Sequence, residues 1–225
     1  MQPLAQDQFN RVKGFKKRFQ TNRIMTSNSK PMSILKHLIQ IDEYRVHLSF
    51  QFPNGIQVRK AADAPSSEQD WKPLTQLNFF TSNFPERNPF NIPGPFYGAD
   101  TDTCETGTAE APHNVLLDRS SQEFVFAQPR CEDELRDIIS AADCECFVGY
   151  GADGNDHWTL ALIREWWQSR AYLLDLSSHV MGLPESKRRW ERILSGEGEA
   201  YLRLYAFFIE NRRLPSEKDR LPEIG

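Results

Sequence analysis

Between Phe147 and Trp167 the chain gathers three glycines, two aspartates, a histidine and three tryptophans. His157 beside Asp153 and Asp156 is the pattern of a general base whose ring is oriented by a carboxylate. A second cluster, Asp100-Thr-Asp102-Thr-Cys104-Glu105, offers an Asp-x-Asp pair to a divalent cation and a thiol as nucleophile. Cys104 would need a base, for which His113 or His157 is available. If the two loops converge, Asp100 and Asp102 become metal ligands and Asp153, Asp156 and His157 move protons, as in a metal-assisted hydrolase or transferase.

Ordinary structural roles compete with each of these readings. Gly149-Tyr-Gly151-Ala-Asp-Gly154 spells a dinucleotide-binding fingerprint, with Asp175 further on at roughly the right distance. In that motif the helix begins inside the glycine run, whereas here Thr159 reads as the helix cap, and Asp175 falls in a helical pattern. Asp, Asn and Gly are also the residues of a turn leading into a capped helix. The Asp100 loop fails as an EF-hand, because Cys104 and Glu105 stand at its fifth and sixth positions. Asp-x-Asp metal pairs end buried apolar strands, which Pro95-Phe-Tyr-Gly-Ala99 is not. No cofactor set is recognisable, and the expectation is none.

The formal charge of −4 is unevenly spread. Residues 1–24 hold Arg11, Lys13, Lys16, Lys17, Arg18 and Arg23 against Asp7, with Phe9, Val12, Phe15 and Phe19 at helical spacing. The expectation is a flexible leader; a membrane-surface or nucleic-acid arm is the alternative. Met25 and Met32 are alternative starts. Residues 132–156 carry Glu132, Asp133, Glu134, Asp137, Asp143, Glu145, Asp153 and Asp156 against Arg136 alone, a segment that repels nucleic acid and attracts a basic protein. Asp133, Glu134, Asp137, Asp153, Asp156, His157, Trp158 and Trp167 are the expected partner-binding residues. No apolar run reaches the length of a membrane span, and a cytoplasmic location is expected. Four cysteines among 225 residues, two of them in Cys144-Glu-Cys146, read as reduced thiols.

These features need elements to hold them. Ser33–Ile41 has helical spacing with Ser33 as cap. Tyr44–Phe52 alternates by twos, Asn54-Gly55 supplies a tight turn, and Ile56–Arg59 returns as a hairpin. Ala61–Gln69 is polar loop, and residues 76–84 read as a further strand. Five prolines and three glycines between Pro85 and Pro112 exclude long elements there. Strands follow at His113–Asp118 and Gln122–Ala127, then an amphipathic helix at Glu132–Ala142 with Leu135, Ile138, Ile139 and Ala142 inward. Cys146–Val148 reads as a short strand. Helices are expected at Leu160–Arg170, Ala171–Met181, Pro184–Leu194 and Glu197–Arg213, the last with Tyr201, Leu204, Tyr205, Phe208 and Ile209 inward. Trp166 and Trp167 diverge by about 100° on a helix, so only one is expected to face inward. The tail after Leu214 should fray. His37, His47 and His179 lack partners at ligand spacing.

The pattern is α+β: an antiparallel sheet with a hairpin in the N-terminal and central part, packed against a helical C-terminal third. Residues 25–225 read as one domain. Gly94-Pro-Phe-Tyr97, Asp102-Thr-Cys104, Gln122-Glu-Phe-Val-Phe126 and the block from Gly149 to Trp167 resemble an uncharacterised group of small bacterial proteins, over about residues 94–170. The ferredoxin label that some of that group carry does not suit these cysteine spacings. The resemblance implies a bacterial setting and transfers no catalytic residue. The leading expectation is a non-enzymatic binding protein, concretely an immunity or antitoxin-type inhibitor whose acidic surface blocks a basic toxin domain.

Overall fold

The computed structural model describes the backbone of four strands within residues 35–73, and residues 80–130, 132–213, 215–216 and 218–225. The leader, the turn at Asn54, the loop at 61–69, the side chains of His37 and His47, and Cys131 lie outside the described residues. By its internal contacts the chain divides into two compact units, Met1–Phe52 with Ile56–Pro73, and Pro53–Gly55 with Leu74–Gly225. That division falls inside the 25–225 span read from sequence as one domain. The α+β class holds, with antiparallel strand pairs followed by helices.

The first unit carries a four-stranded sheet in the order β1 (Leu35–Ile41), β2 (Tyr44–Gln51), β3 (Gly55–Lys60) and β4 (Trp71–Pro73). Leu35–Ile41 is therefore a strand and not the expected helix. It pairs antiparallel with β2 from Leu35 opposite Phe50 to Ile41 opposite Tyr44. Seven residues with Ile39 and Ile41 at the end are short for a helix, and the adjacent alternating strand pairs the backbone groups of β1 that face it.

Of the strand expected at 76–84, residues 76–79 lie outside the described residues; within the rest, Phe80–Asn83 is irregular and Phe84–Glu86 forms one 3-10 turn. The proline-rich stretch yields only β5 (Tyr97–Gly98) and α1 (Thr106–Glu110). Next come the hairpin β6 (Val115–Leu117) and β7 (Glu123–Val125), and α2 (Glu132–Cys144), which packs along α1. Leu135, Ile138, Ile139 and Ala142 are buried, as the helical spacing requires. Cys146–Val148 is not a strand. It is a turn with Val148 at φ +57°, an uncommon conformation for a β-branched residue, and the strand lies two residues on, at β8 (Tyr150–Gly151).

α3 (Gly154–His157) is a single turn, and α4 (Leu160–Gln168) starts at Thr159, whose Oγ1 accepts from Leu162 N at 3.2 Å. α5 (Arg170–Asp175) runs into a 3-10 turn, and Met181 then bridges the edge of β6 at Leu117. α6 (Pro184–Arg192) and α7 (Glu199–Asn211) are separated at Gly196, whose φ of +137° ends the run. The inward face of α7 includes Leu202, Ala206 and Phe207 beyond the expected set, while Leu204 is only half-buried.

One aromatic core joins hairpin and helices. Trp190 of α6 is fully buried, with ring centroids 5.6 Å from Phe124, 6.4 Å from Phe126 and 5.9 Å from Trp166. Both adjacent tryptophans of α4 are buried, Trp166 at 7% and Trp167 at 3% exposure, against the expectation that one would reach an edge. They do diverge, but α4 is covered on two sides. Trp166 meets Trp190 and donates to Pro89 O, whereas Trp167 lies under Gly225 and the Arg170 guanidinium. Residues 218–225 of the tail expected to fray supply that second cover. Ile224 is 1% exposed, Arg164 Nε donates to Glu223 O at 2.9 Å, and Arg203 Nε donates to Pro222 O at 3.0 Å.

Candidate functional site

β5 and β8 form a two-stranded ribbon with Tyr97 opposite Gly151 and Gly98 opposite Tyr150. The glycines of the fingerprint serve this packing. A Cβ at Gly151 would collide with the Tyr97 ring, and one at Gly154 with the carbonyl of Gly94. The ribbon is antiparallel and its Gly154 carries only a one-turn helix, so no βαβ unit surrounds the motif.

Each tyrosine of the ribbon donates to a carboxylate. Tyr97 Oη reaches Asp153 Oδ1 at 2.6 Å, and Asp153 Oδ2 lies 3.0 Å from His157 Nε2, whose ring stacks on Phe84 at a centroid distance of 5.0 Å. Burial, followed by Asp153, pushes the Tyr97 hydroxyl well above the usual tyrosine range, which keeps it a donor. The expected Asp153–His157 pairing is thus present, with Tyr97 as its unforeseen third member. Among the described residues His157 has no other hydrogen bond, so no nucleophile is held against it. Asp156 is exposed and stands outside the triad.

Tyr150 belongs to a different, buried group of acids. Its hydroxyl donates to Glu123 Oε2 at 2.6 Å, and Glu123 Oε1 accepts from Gly107 N at 2.7 Å. Asp102 accepts from Cys104 N at 2.7 Å and Cys146 N at 3.1 Å. Glu145 accepts from Asp102 N, Phe147 N and Gly149 N, and so anchors the turn that contains the strained Val148. Burial pushes the Glu123 carboxyl up to about 7, against the hydrogen bonds from Tyr150 and Gly107, and with reinforcement from Asp102 and Glu145.

This arrangement revises the metal and thiol readings. Asp102 is buried with backbone amides on both oxygens, Asp100 is exposed, and neither shares a hydrogen bond with Asp153 or His157. Among the described residues no group of three or more His, Cys, Asp or Glu could hold a metal ion. Cys104 is exposed, and the Asp102 charge, with burial second, pushes its thiol up. That shift opposes thiolate formation and hence a nucleophilic role. Its suggested base His113 lies 3.8 Å from Glu185 instead.

The expected partner surface separates into buried and exposed members. Trp158 and Trp167 are 3% exposed, which withdraws them as surface anchors. Glu134 is likewise buried. Burial alone would raise its carboxyl, but Arg130, donating from N and Nε, holds it below the usual range. Asp133, Asp143 and Asp156 are exposed, and Asp137 is half-buried on α2. Burial, then Asp133 and Glu110, pushes the Asp137 carboxyl up to about 6, with His113 opposing. The like charges on α1 and α2 are therefore close enough to repel. Phe147, at 71% exposed, is the largest apolar side chain offered to solvent near them, three residues beyond α2.

Sequence reading missed Glu123, Glu145, Tyr97 and Tyr150. Glu123 did carry a signal, since it is the one charge in the apolar run Glu123-Phe-Val-Phe-Ala127. No described helix is long and apolar enough to cross a membrane. No protein-family model matches the chain, and no curated protein and no solved structure matches it either.

Proposed function

We propose that this chain is a binding protein that engages a basic partner through the acidic face of α1 and α2, in the manner of an immunity or antitoxin-type inhibitor. The single observation that carries this reading is the clustering of Asp137, Asp133 and Glu110, whose like charges add to burial in raising the Asp137 carboxyl even though Arg136 Nη1 lies 3.4 Å from Asp133, so a cationic partner would add to that one arginine. Phe147 takes the anchoring role first expected of the tryptophans, an exposed aromatic beside acids. The bacterial setting rests on the resemblance carried by residues 94–170.

Co-expression with the products of neighbouring genes is the test, with pull-down and toxicity rescue as readouts. A basic partner should bind the full chain, and Asp133→Lys with Asp137→Lys should weaken it at least about tenfold, with a steep loss in salt. Failure of every neighbouring product to bind, or binding indifferent to the two lysines, overturns the reading.

A further inference from the structure

A pocket of about 570 Å³ opens among Arg87–Asn91, the Asp118 turn, α4 and α5. That volume is in the range of small-ligand sites, roughly 300 to 1,000 Å³. Its buried wall combines the apolar Trp166, Leu173 and Val180, with Trp158 beside them, and the amides of Asn88 and Asn91. Its exposed margin includes Arg119, Tyr172 and His179.

Arg87 gives the pocket its chemistry. Its guanidinium lies 4.0 Å from the centroid of the Phe84 ring and 4.8 Å from that of Trp158, so two aromatic faces fix the planar fork. One nitrogen, Nη1, donates to Phe84 O at 3.1 Å. Among the described residues no carboxylate lies within ion-pair distance of Arg87 or of Arg119. The acids lining the pocket do not neutralise them. Asp118 Oδ1 accepts from Ser120 N and Gln122 N of its own turn, and its Oδ2 accepts from Asn88 Nδ2, so both oxygens already hold hydrogen bonds. Glu165 is exposed and supports the Arg87 charge only from a distance, while burial works against that charge. The indole N–H of Trp158 is buried and has no acceptor among the described residues.

A half-buried cation with unused donors on an apolar, aromatic wall calls for an anion with a flat apolar body. We propose that this pocket binds an aryl carboxylate, its carboxylate on Arg87 and Arg119 and its ring against Trp166, Leu173 and Val180. One stacked guanidinium fork matches the two oxygens of a carboxylate. A phosphate dianion would meet stronger repulsion from Asp118 and Glu165. The pocket shares no residue with the acidic face of α1 and α2, so ligand binding stands or falls independently of the basic partner.

The test is a calorimetric titration of the full chain with 2-naphthoate and with its neutral isostere 2-naphthamide, followed in parallel by tryptophan fluorescence. Naphthoate should bind one to one, at least about tenfold more tightly than the amide. Arg87→Met should abolish that preference, and Arg119→Gln, at an exposed position, should weaken naphthoate by about threefold. Equal affinity for acid and amide, no binding of either up to the solubility limit, or a preference that survives in folded Arg87→Met overturns the proposal. Should Arg87→Met fail to fold, the acid–amide ratio and its reduction in Arg119→Gln decide. Tighter binding of 2-naphthyl phosphate than of naphthoate would also overturn the carboxylate assignment.

Discussion

The buried acids around Tyr150 and the arginine pocket below α4 handle charge in opposite ways. Among the described residues Asp102, Glu123 and Glu145 are carboxylates without a partner cation, and nearly all the hydrogen bonds they accept come from backbone N–H groups. Arg87 is a cation without an ion-paired carboxylate among the described residues, held by aromatic faces and one carbonyl. In the first region the acids are structural acceptors that pin irregular backbone, and their number overstates the negative surface. In the second, Asp118 bonds its own turn and Asn88 and makes no ion pair with Arg87 or Arg119 among the described residues. Counting charges along the chain therefore misjudges both regions, because what decides is where each group's hydrogen bonds go.

The largest expected effect comes from the core that both regions share. Trp190→Ala should destabilise the second unit by about 4 kcal/mol, the cost of a large aromatic cavity among Phe124, Phe126 and Trp166. Urea denaturation followed by circular dichroism measures it, and a loss under about 1 kcal/mol would mean that the ring is not central. Glu145→Ala comes next. It leaves the amides of Asp102, Phe147 and Gly149 without their acceptor, and the expected loss is about 3 kcal/mol. Hydrogen exchange should accelerate first at Phe147 and Gly149. If the loss were confined to global unfolding with no local change, the carboxylate would not be what holds the turn.

Much of the second unit was legible from sequence, and the failures share a cause. The β6–β7 hairpin, α2, the Thr159 cap and the break at Gly196 follow from local periodicity and turn chemistry, and all are present. Leu35–Ile41 failed because strand pairing overrode a short helical spacing. The burial of both Trp166 and Trp167 failed because the second cover, Ile224 and Gly225, arrives from the far end of the chain. The Asp153–His157 pair was visible as an i, i+4 spacing. Tyr97 was not, since 56 residues separate it from Asp153. Arg87 was invisible as a site residue for the same reason: neither its isolation from carboxylates nor its pocket is a sequence property.

A third variant sharpens the contrast by removing charge and keeping shape. Glu123→Gln retains an acceptor for Gly107 N and a partner for Tyr150 Oη. In the folded protein the Glu123 carboxyl is pushed up to about 7, so the folded state keeps a proton that the unfolded chain has already released. Its contribution to stability is therefore full below the usual carboxyl range and is lost as pH rises through about 7. Glutamine has no such loss. Glu123→Gln should match the parent near the bottom of that window and exceed it at pH 8 by roughly 3 kcal/mol. Thermal melts across the range would show two curves that diverge upward in pH; parallel curves would place the proton elsewhere in the acid group.

The smallest effect is at Asp137, and it bears on the acidic face. Burial, then Asp133 and Glu110, pushes its carboxyl up to about 6, so the same sign holds: its contribution is full at acid pH and is lost as pH rises through about 6. Asp137 is half-buried and water screens much of the repulsion, so Asp137→Asn should stabilise the free chain by no more than about 0.5 kcal/mol at pH 8. A basic partner inverts that preference, since it meets the charged carboxylate and returns the group to its ionised form. Asn at 137 should then bind the partner more weakly while folding slightly better, and partner binding near pH 6 should release a proton in calorimetry across buffers of different ionisation enthalpy. The buried acids cannot behave this way, because Glu123 is fully enclosed and no external cation reaches it. A Glu123→Gln variant that altered partner affinity as Asp137→Asn does would erase the distinction between acids that hold the fold and acids that face outward.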